Sequence, residues 1–216
     1  MISLCDISIG YSAPLVTSIG AELLSGKLTC LVGRNGTGKS TLLKTIAQLI
    51  PPLEGNLSLN GHRTGIVLTH FPDLSNTTVY ELVSYGRLPH QNLIASLRPS
   101  DHEAINEALT TVGINQYKDR LISRLSDGEK QKVMIARALA QGTDTLLLDE
   151  PSAFLDYPSK VALMKLLKDL ARCEGKAILL STHDVELAKA YADCIWHLKD
   201  GKLQTKSPSD FNIDEV

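Results

Sequence analysis

The feature that most constrains the fold is a glycine-rich loop between a strand pattern and a helix pattern. The loop, Gly33 to Thr41, follows the apolar run Leu28 to Val32 and precedes the helical spacing of Leu42 to Ala47. Glycines let backbone N–H groups curve around a polyphosphate, Lys39 adds a charge, and the Ser40 hydroxyl can reach Mg²⁺. The loop therefore predicts a site for a nucleoside triphosphate and Mg²⁺. The residues expected to hold the nucleotide are Gly33, Asn35, Gly36, Thr37, Gly38, Lys39, Ser40 and Thr41.

Strand and helix patterns alternate along much of the chain, which predicts an α/β fold. The opening is rich in strand patterns, and the later apolar runs Thr145 to Leu148 and Ala177 to Leu180 are separated by helical patterns. This alternation is typical of a parallel sheet covered by helices. From about residue 78 to 140 the apolar spacing is helical. We therefore expect a single domain over residues 1–216, with a helical subdomain inserted at about 78–140.

The charge balance and the apolar content argue against two broad classes of protein. The chain has 22 lysines and arginines against 24 aspartates and glutamates, without a basic block, so no nucleic-acid partner is expected. The first residues lack the features of a signal peptide, and no apolar run approaches membrane-spanning length. We therefore expect a cytosolic location.

Two acidic residues directly follow an apolar strand pattern. Asp149 and Glu150 come immediately after Thr145 to Leu148. Because α/β proteins bind ligands at the carboxyl ends of their strands, Asp149 is expected to hold Mg²⁺. Glu150 is expected to orient the water that attacks the γ-phosphate, or to accept its proton. The alternative is a strand that ends in a solvated acidic turn.

Two other motifs suit phosphate binding and also have ordinary interpretations. His183 follows the strand pattern Ala177 to Leu180, where it could hydrogen-bond a γ-phosphate, lie on the surface or be a satisfied core residue. The turn Ser126-Asp127-Gly128 precedes the helical pattern Glu129 to Ala140 and offers a second helix N-terminus to an anion. The same turn could be a simple N-cap. Neither motif decides the function alone.

The motifs taken together resemble one family. The phosphate loop, the Leu-Ser-x-Gly turn, Asp149-Glu150-Pro151, the segment Ser152 to Asp156 and His183 follow one another as in the ATP-binding subunit of an ABC transporter. The resemblance covers nearly the whole chain. It implies a P-loop NTPase core of the ABC ATPase type with an N-terminal antiparallel β subdomain. It also implies ATP and Mg²⁺ as ligands, and hydrolysis by Glu150, His183 and Lys39.

The same resemblance implies that a second copy of the chain completes the site. Ser126 and Gly128 are expected to contact the γ-phosphate of ATP held by the partner, in a head-to-tail homodimer with two ATP molecules between the chains. Asp156 is expected in the loop that couples the two sites. Tyr11 matches the aromatic residue that stacks on adenine in this family.

Three residues depart from the family's pattern. His70 is the best match to a glutamine that contacts Mg²⁺ and the membrane subunit, with Thr69 as the alternative if the loop is one residue shorter. Asp127 replaces a glycine and brings a carboxylate beside the partner's γ-phosphate, which should weaken the closed dimer unless the side chain points away. Glu129 replaces a glutamine, which is a mild change.

A short segment resembles a narrower group within the family. The segment Gly86 to His90, Gly-Arg-Leu-Pro-His, is similar to the ATPases that import iron–siderophore, haem and cobalamin complexes. This similarity implies integral-membrane permease subunits and a substrate-binding protein as partners, and a peripheral location on the inner face of the membrane. The surface near Tyr85 to His90 is expected to receive the permease. An ordinary helix end with Gly86 as C-cap would explain the same residues.

Other functions stay open at the level of sequence. An importer ATPase for zinc or manganese, or a soluble ABC-type ATPase of iron–sulfur cluster assembly, would carry the same motifs. Relatives that act on DNA or ribosomes need a coiled-coil insertion or two ATPase units, for which 216 residues leave no room. A small-molecule kinase would leave the Ser126 turn and His183 unexplained.

Overall fold

The structure, a computed structural model, describes residues 1–69, 76–90 and 96–213. The chain forms two compact units, one made of residues 1–69 with 144–216 and the other of residues 70–143. The second unit is therefore an insertion in the sequence of the first. No helix in the described part of the chain combines the length and the apolar character needed to cross a lipid bilayer.

Two sheets form the first unit over its described residues. The strands are β1 (Ile2–Gly10), β2 (Pro14–Leu23), β3 (Leu28–Val32), β4 (Glu54–Ser58), β5 (Thr64–Val67), β6 (Thr145–Asp149), β7 (Ala177–Thr182), β8 (Cys194–Lys199) and β9 (Lys202–Lys206). Strands β2, β1 and β4 pair antiparallel in that order. The larger sheet has the order β5-β6-β7-β3-β8-β9 and is parallel except for β9 at its edge. The predicted α/β fold with an N-terminal antiparallel sheet is confirmed.

Helices lie against the larger sheet and also build the second unit. They are α1 (Lys39–Ile46), α2 (Val79–Ser84), α3 (Pro99–Thr111), α4 (Asp127–Ala140), α5 (Tyr157–Glu174) and α6 (Val185–Tyr191). Strands β3, β6 and β7 are buried along their whole lengths, as continuous apolar strands covered on both faces must be. They pack against α1, α5 and α6, which belong to the first unit. This packing fixes the strand ends that carry the predicted site.

The core of the first unit runs from the antiparallel sheet through α1 to the parallel sheet. Its buried cluster includes Ile7 and Ile9 of β1, Leu42 and Ile46 of α1, and Leu147 of β6. Burial of such side chains contributes about 1.5–3 kcal/mol each. Helix α1, which begins at the end of the glycine-rich loop, is thus held between the two sheets.

The second unit is helical where the structure describes it, with a 3₁₀ turn at Tyr85–His90 between α2 and α3. The face predicted from Val79, Leu82 and Val83 is buried. The segment Ser100 to Glu103 resembles a capping box in sequence, which predicts a cap at Ser100. This prediction is wrong, because α3 begins at Pro99 with Arg98 as N-cap. Proline fits the first turn of a helix, where its missing N–H costs nothing.

Candidate active site

The glycine-rich loop joins β3 to α1 and needs glycine at defined points. Gly36 and Gly38 have φ angles of 81° and 104°, a region that other residues rarely adopt. A Cβ on Gly33 would lie 2.5 Å from the carbonyl oxygen of Leu198. The Thr37 hydroxyl donates a hydrogen bond to the Arg34 carbonyl over 2.9 Å and braces the loop. The loop is therefore a cradle that requires glycine at these positions.

Lys39 points its ammonium group into this loop. The side chain is buried, and Nζ donates to the carbonyl oxygens of Gly33 (2.7 Å) and Arg34 (3.2 Å). A further contact of 3.8 Å links Nζ to Oε1 of Glu150. Lys39 is thus the cation that a phosphate entering the loop would meet.

An open cavity of about 290 Å³ lies over the loop. It is lined by residues of the loop, by Glu150 and by one apolar residue from β2, namely Leu15, Asn35, Gly36, Gly38, Lys39, Ser40, Thr41 and Glu150. The lining combines backbone donors, a lysine, two hydroxyl groups and a carboxylate. That set fits a polyphosphate with a bound metal ion.

The two predicted metal ligands of the first unit face each other. The Ser40 hydroxyl donates to Oδ1 of Asp149 over 2.9 Å, and both residues lie at strand or helix ends of the same sheet edge. A hydroxyl and a carboxylate oxygen are the hard ligands that Mg²⁺ prefers, with nucleotide phosphates and waters supplying the rest. The residues present therefore fit Mg²⁺.

Glu150 lies between two groups that suit hydrolysis. Its carboxylate oxygens are 3.8 Å from Lys39 Nζ and 2.8 Å from Nδ1 of His183. The carboxylate is only 17% exposed, whereas the His183 ring is 57% exposed. A partly desolvated carboxylate next to a lysine and an imidazole can orient a water and tolerate a neighbouring phosphate. The ends of β6 and β7 and the start of α1 thus bring Glu150, His183 and Lys39 together.

Two hydroxyl groups hold these acids, a role that sequence reasoning assigned to neither residue. Ser181 donates to Oδ1 of Asp149 (2.8 Å) and accepts the N–H of Glu150 (2.9 Å). Thr69 donates to the carbonyl oxygen of Asp149 over 2.9 Å. The parallel pairing of β6 with β7 places Ser181 opposite Asp149. This pairing cannot be read from the strand patterns, so no signal in the sequence pointed to the role of Ser181.

Two other predicted site residues lie away from this cluster of side chains. Tyr11 follows β1, is 64% exposed and does not line the cavity. Asp156 is the N-cap of α5, where it accepts the N–H of Ser159 over 3.1 Å. Hydrogen bonds from Ser159 hold the pKa of Asp156 below its usual value. His70 lies outside the described residues.

The Leu-Ser-x-Gly turn belongs to the second unit, where it caps α4. Ser126 is the N-cap, and Glu129 accepts hydrogen bonds from the Ser126 N–H (2.8 Å) and hydroxyl (3.0 Å). Both hydrogen bonds lower the pKa of Glu129, and the bond from the Ser126 backbone N–H has the larger effect. Asp127 is paired with Lys130 over 3.0 Å. The carboxylate that departs from the family's glycine is thus paired with a lysine on its own helix.

The Gly-Arg-Leu-Pro-His segment is part of the packing of the second unit. Gly86 is so close to α4 that a Cβ would lie 2.3 Å from the Arg137 carbonyl oxygen. Arg87 donates to the carbonyl oxygen of Ala140 (2.7 Å) and to the buried carboxylate of Asp101 (2.8 Å). Leu88, the next residue after Arg87, is exposed. The glycine and arginine of this motif therefore have structural roles.

Comparison with known proteins gives a consistent answer. The profile of the family described as "ABC transporter" matches residues 16–153. The iron(3+)-hydroxamate import ATP-binding protein of Bacillus subtilis is 38% identical over 211 residues, which cover 92% of this chain and 78% of the relative.

Two solved structures share the fold. A metal-chelate type ABC transporter in an inward-facing conformation has a TM-score of 0.91 and 26% identity, over 97% of this chain and 84% of that one. A dimeric bacterial ABC transporter cassette has a TM-score of 0.82 and 25% identity, over 98% of this chain and all of that one (100%). The resemblance inferred from the motifs is confirmed. The chain belongs to the ATP-binding proteins of the ABC transporter family, which hydrolyse ATP.

Proposed function

We propose that this ATPase drives the import of a metal chelate through a partner membrane permease. The observation that carries the hydrolytic part is the Glu150 carboxylate, held 2.8 Å from His183 and 3.8 Å from Lys39 beside the phosphate cradle. In this proposal the whole chain, residues 1–216, is one ABC ATPase domain, with a helical subdomain inserted in its core at about residues 78–140.

Each predicted site residue on the nucleotide side of the chain has a defined task in hydrolysis. The loop amides and Lys39 bind the β- and γ-phosphates of ATP, and Tyr11 stacks on the adenine. Ser40 and Asp149 would hold Mg²⁺, with His70 as a further candidate, and the chemistry that the ion supplies is neutralisation of phosphate charge. Glu150 orients the attacking water. His183 stabilises the charge that develops on the γ-phosphate.

The second part of the proposal is a homodimer with ATP at its interface. Ser126 and Gly128 of one chain would contact the γ-phosphate bound by the other, and Asp156 would lie in the loop that couples the two sites. A dimeric cassette with the same fold supports this arrangement. The pairing of Asp127 with Lys130 also supports it, because the lysine ammonium offsets part of the repulsion between the carboxylate and a phosphate.

The cargo and partners are proposed from the relatives. One relative is named for the import of iron(3+)-hydroxamate, and one structural neighbour is a metal-chelate type transporter. We therefore assign integral-membrane permease subunits and a substrate-binding protein as partners, with the chain on the cytoplasmic face of the membrane and no nucleic acid involved. Tyr85 and Leu88 are 45% and 58% exposed and offer apolar contacts to a permease segment.

The test of the hydrolytic assignment is Glu150→Gln. ATP binding should persist, because the carboxylate does not hold the phosphates, while turnover should fall by roughly 10²–10⁴, as for loss of a positioned base. The matched control is Glu174→Gln, which makes the same carboxylate-to-amide change at an exposed position at the end of α5. Near-normal turnover in Glu150→Gln would contradict the role of Glu150.

The test of the cargo uses the complex. The chain is co-expressed with candidate permeases, and ATP hydrolysis is measured with binding proteins loaded with a ferric hydroxamate, haem, cobalamin or zinc. Stimulation by a ferric hydroxamate is expected. Stimulation by zinc alone, or purification without any membrane protein, would contradict metal-chelate import.

A further inference from the structure

A fully buried serine links the two acidic residues of the site. Ser181 is the fifth residue of β7, with 0% exposure, and it lies opposite Asp149 in the parallel register of β6 and β7. No expectation from sequence gave it a task. Of its two neighbours in β7, Leu180 belongs to the apolar core and Thr182 is a buried polar residue.

The hydroxyl of Ser181 is used in both directions. Its single proton is donated to Oδ1 of Asp149 over 2.8 Å, and its oxygen accepts the N–H of Glu150 over 2.9 Å. Oδ1 of Asp149 also accepts the Ser40 hydroxyl over 2.9 Å. One hydroxyl group therefore connects the metal-binding side of the site to the backbone of Glu150.

The backbone of Glu150 needs such a partner. Strand β6 ends at Asp149, and Glu150 has a φ of 47°, in the left-handed region that is unfavourable for a residue with a Cβ. The hydrogen bond from its N–H to Ser181 holds this conformation. This backbone conformation turns the Glu150 side chain out of the strand register, toward Lys39 and His183.

We propose that Ser181 is a positioning residue for ATP hydrolysis, which fixes the Glu150 carboxylate at the attacking water and orients Asp149 toward Ser40. The proposal rests on the proposed function of Glu150 and Asp149. Ser181 contacts neither nucleotide nor water in this scheme and acts through the two acids. A displacement of about 1 Å in a reacting group can cost on the order of 100-fold in rate.

The test replaces the hydroxyl while keeping the volume of the side chain. Ser181→Ala and Ser181→Cys are compared with Thr145→Val, which removes a buried hydroxyl at the opposite end of β6. For both Ser181 variants kcat should fall roughly 10- to 100-fold while KM for ATP changes less than about threefold. Calorimetry without turnover gives a second readout, in which the Mg²⁺-dependent gain in ATP affinity should shrink. Thr145→Val should leave both unchanged.

The outcomes separate this proposal from the function on which it rests. If Glu150→Gln is slow but Ser181→Ala and Ser181→Cys keep more than half of kcat, the role of Ser181 is wrong and the role of Glu150 stands. If all three variants match the original chain, the assignment of Glu150 fails as well. A loss shared equally by Thr145→Val would mean a general effect of buried hydroxyls, which also overturns the proposal.

Discussion

Replacing Gly86 by alanine should destabilise the second unit, because the turn at Gly86 packs directly on the backbone of α4. An added Cβ would lie 2.3 Å from the Arg137 carbonyl oxygen and 3.3 Å from the Cβ of Ala140. Ordinary contact begins at 3.4 Å, so the turn and the helix would have to separate by about 1 Å. Gly86 is absent from the positive-φ glycines of the described residues, so lack of space rather than backbone conformation causes the effect.

The same displacement would break the next contact along the chain. Arg87 donates to the Ala140 carbonyl over 2.7 Å, and 1 Å more would exceed hydrogen-bond distance. Overpacking costs about 1–3 kcal/mol, and loss of a hydrogen bond from a charged group costs about 1.5–3 kcal/mol. Moving the turn away from α4 relieves the steric clash but breaks the hydrogen bond, so one of the two costs always remains. We therefore expect a loss of about 3 kcal/mol in the free energy of unfolding.

The assay is guanidinium unfolding followed by far-UV circular dichroism, with amide hydrogen exchange in α4 to locate the effect. For a chain of this size the loss corresponds to roughly 6–12 °C in melting temperature. Gly20→Ala is the control, because a Cβ on Gly20 meets nothing within 4 Å. If Gly86→Ala unfolds at the same denaturant concentration as Gly20→Ala, the reasoning from close approach is refuted.

Changes of charge should have equally specific effects. Lys130→Ala should weaken ATP-dependent dimerisation roughly tenfold, because it leaves Asp127 unpaired beside phosphate. In an Asp127→Asn background Lys130→Ala should have little effect. If sedimentation shows the same loss of dimer in both backgrounds, the pairing argument is contradicted. Lys39→Ala should abolish ATP binding in calorimetry, since Lys39 is the buried cation of the cradle, and retained affinity would remove it from the site. Acid should destabilise the second unit. Hydrogen bonds from the backbone N–H groups of Ser126 and Arg98 lower the pKa of Glu129 and Asp101, so their contribution to stability is complete above about pH 4–5 and lost as pH falls through the lowered values. The denaturant midpoint should therefore drop as pH falls below about 5, and a flat profile would rule this out.

Local sequence was enough to predict the parts of the site that follow a single strand. Asp149 and Glu150 were predictable because an apolar strand that ends in two acids is visible in six consecutive residues. Ser181 was not, because its role depends on which strand lies beside β6 and in which register. The Arg87–Asp101 ion pair likewise joins the 3₁₀ turn to α3 across a stretch without a readable pattern. Tertiary pairing supplied what period and spacing could not.

One wrong prediction has a local cause. The start of α3 was misplaced because Ser100 suggested a cap, whereas Pro99 already adopts the first helical position and Arg98 precedes it. The expectation that Asp127 weakens the dimer stays a prediction, and the ion pair with Lys130, one helical turn further on, is a contact that it did not consider. A pattern names residue types, but the partner that neutralises a charge is chosen by geometry.

The order of the larger sheet also determines when this enzyme can begin to work during synthesis. Strand β3, which leads into the phosphate loop, pairs with β7 and β8 and not with any strand made before it. A nascent chain that has emerged only through the second unit holds the loop without Asp149, Ser181 or His183. Such non-local pairing closes late in folding. With the roles proposed for these residues, a chain whose β7 has not yet left the ribosome carries a phosphate loop but is expected to hydrolyse no ATP.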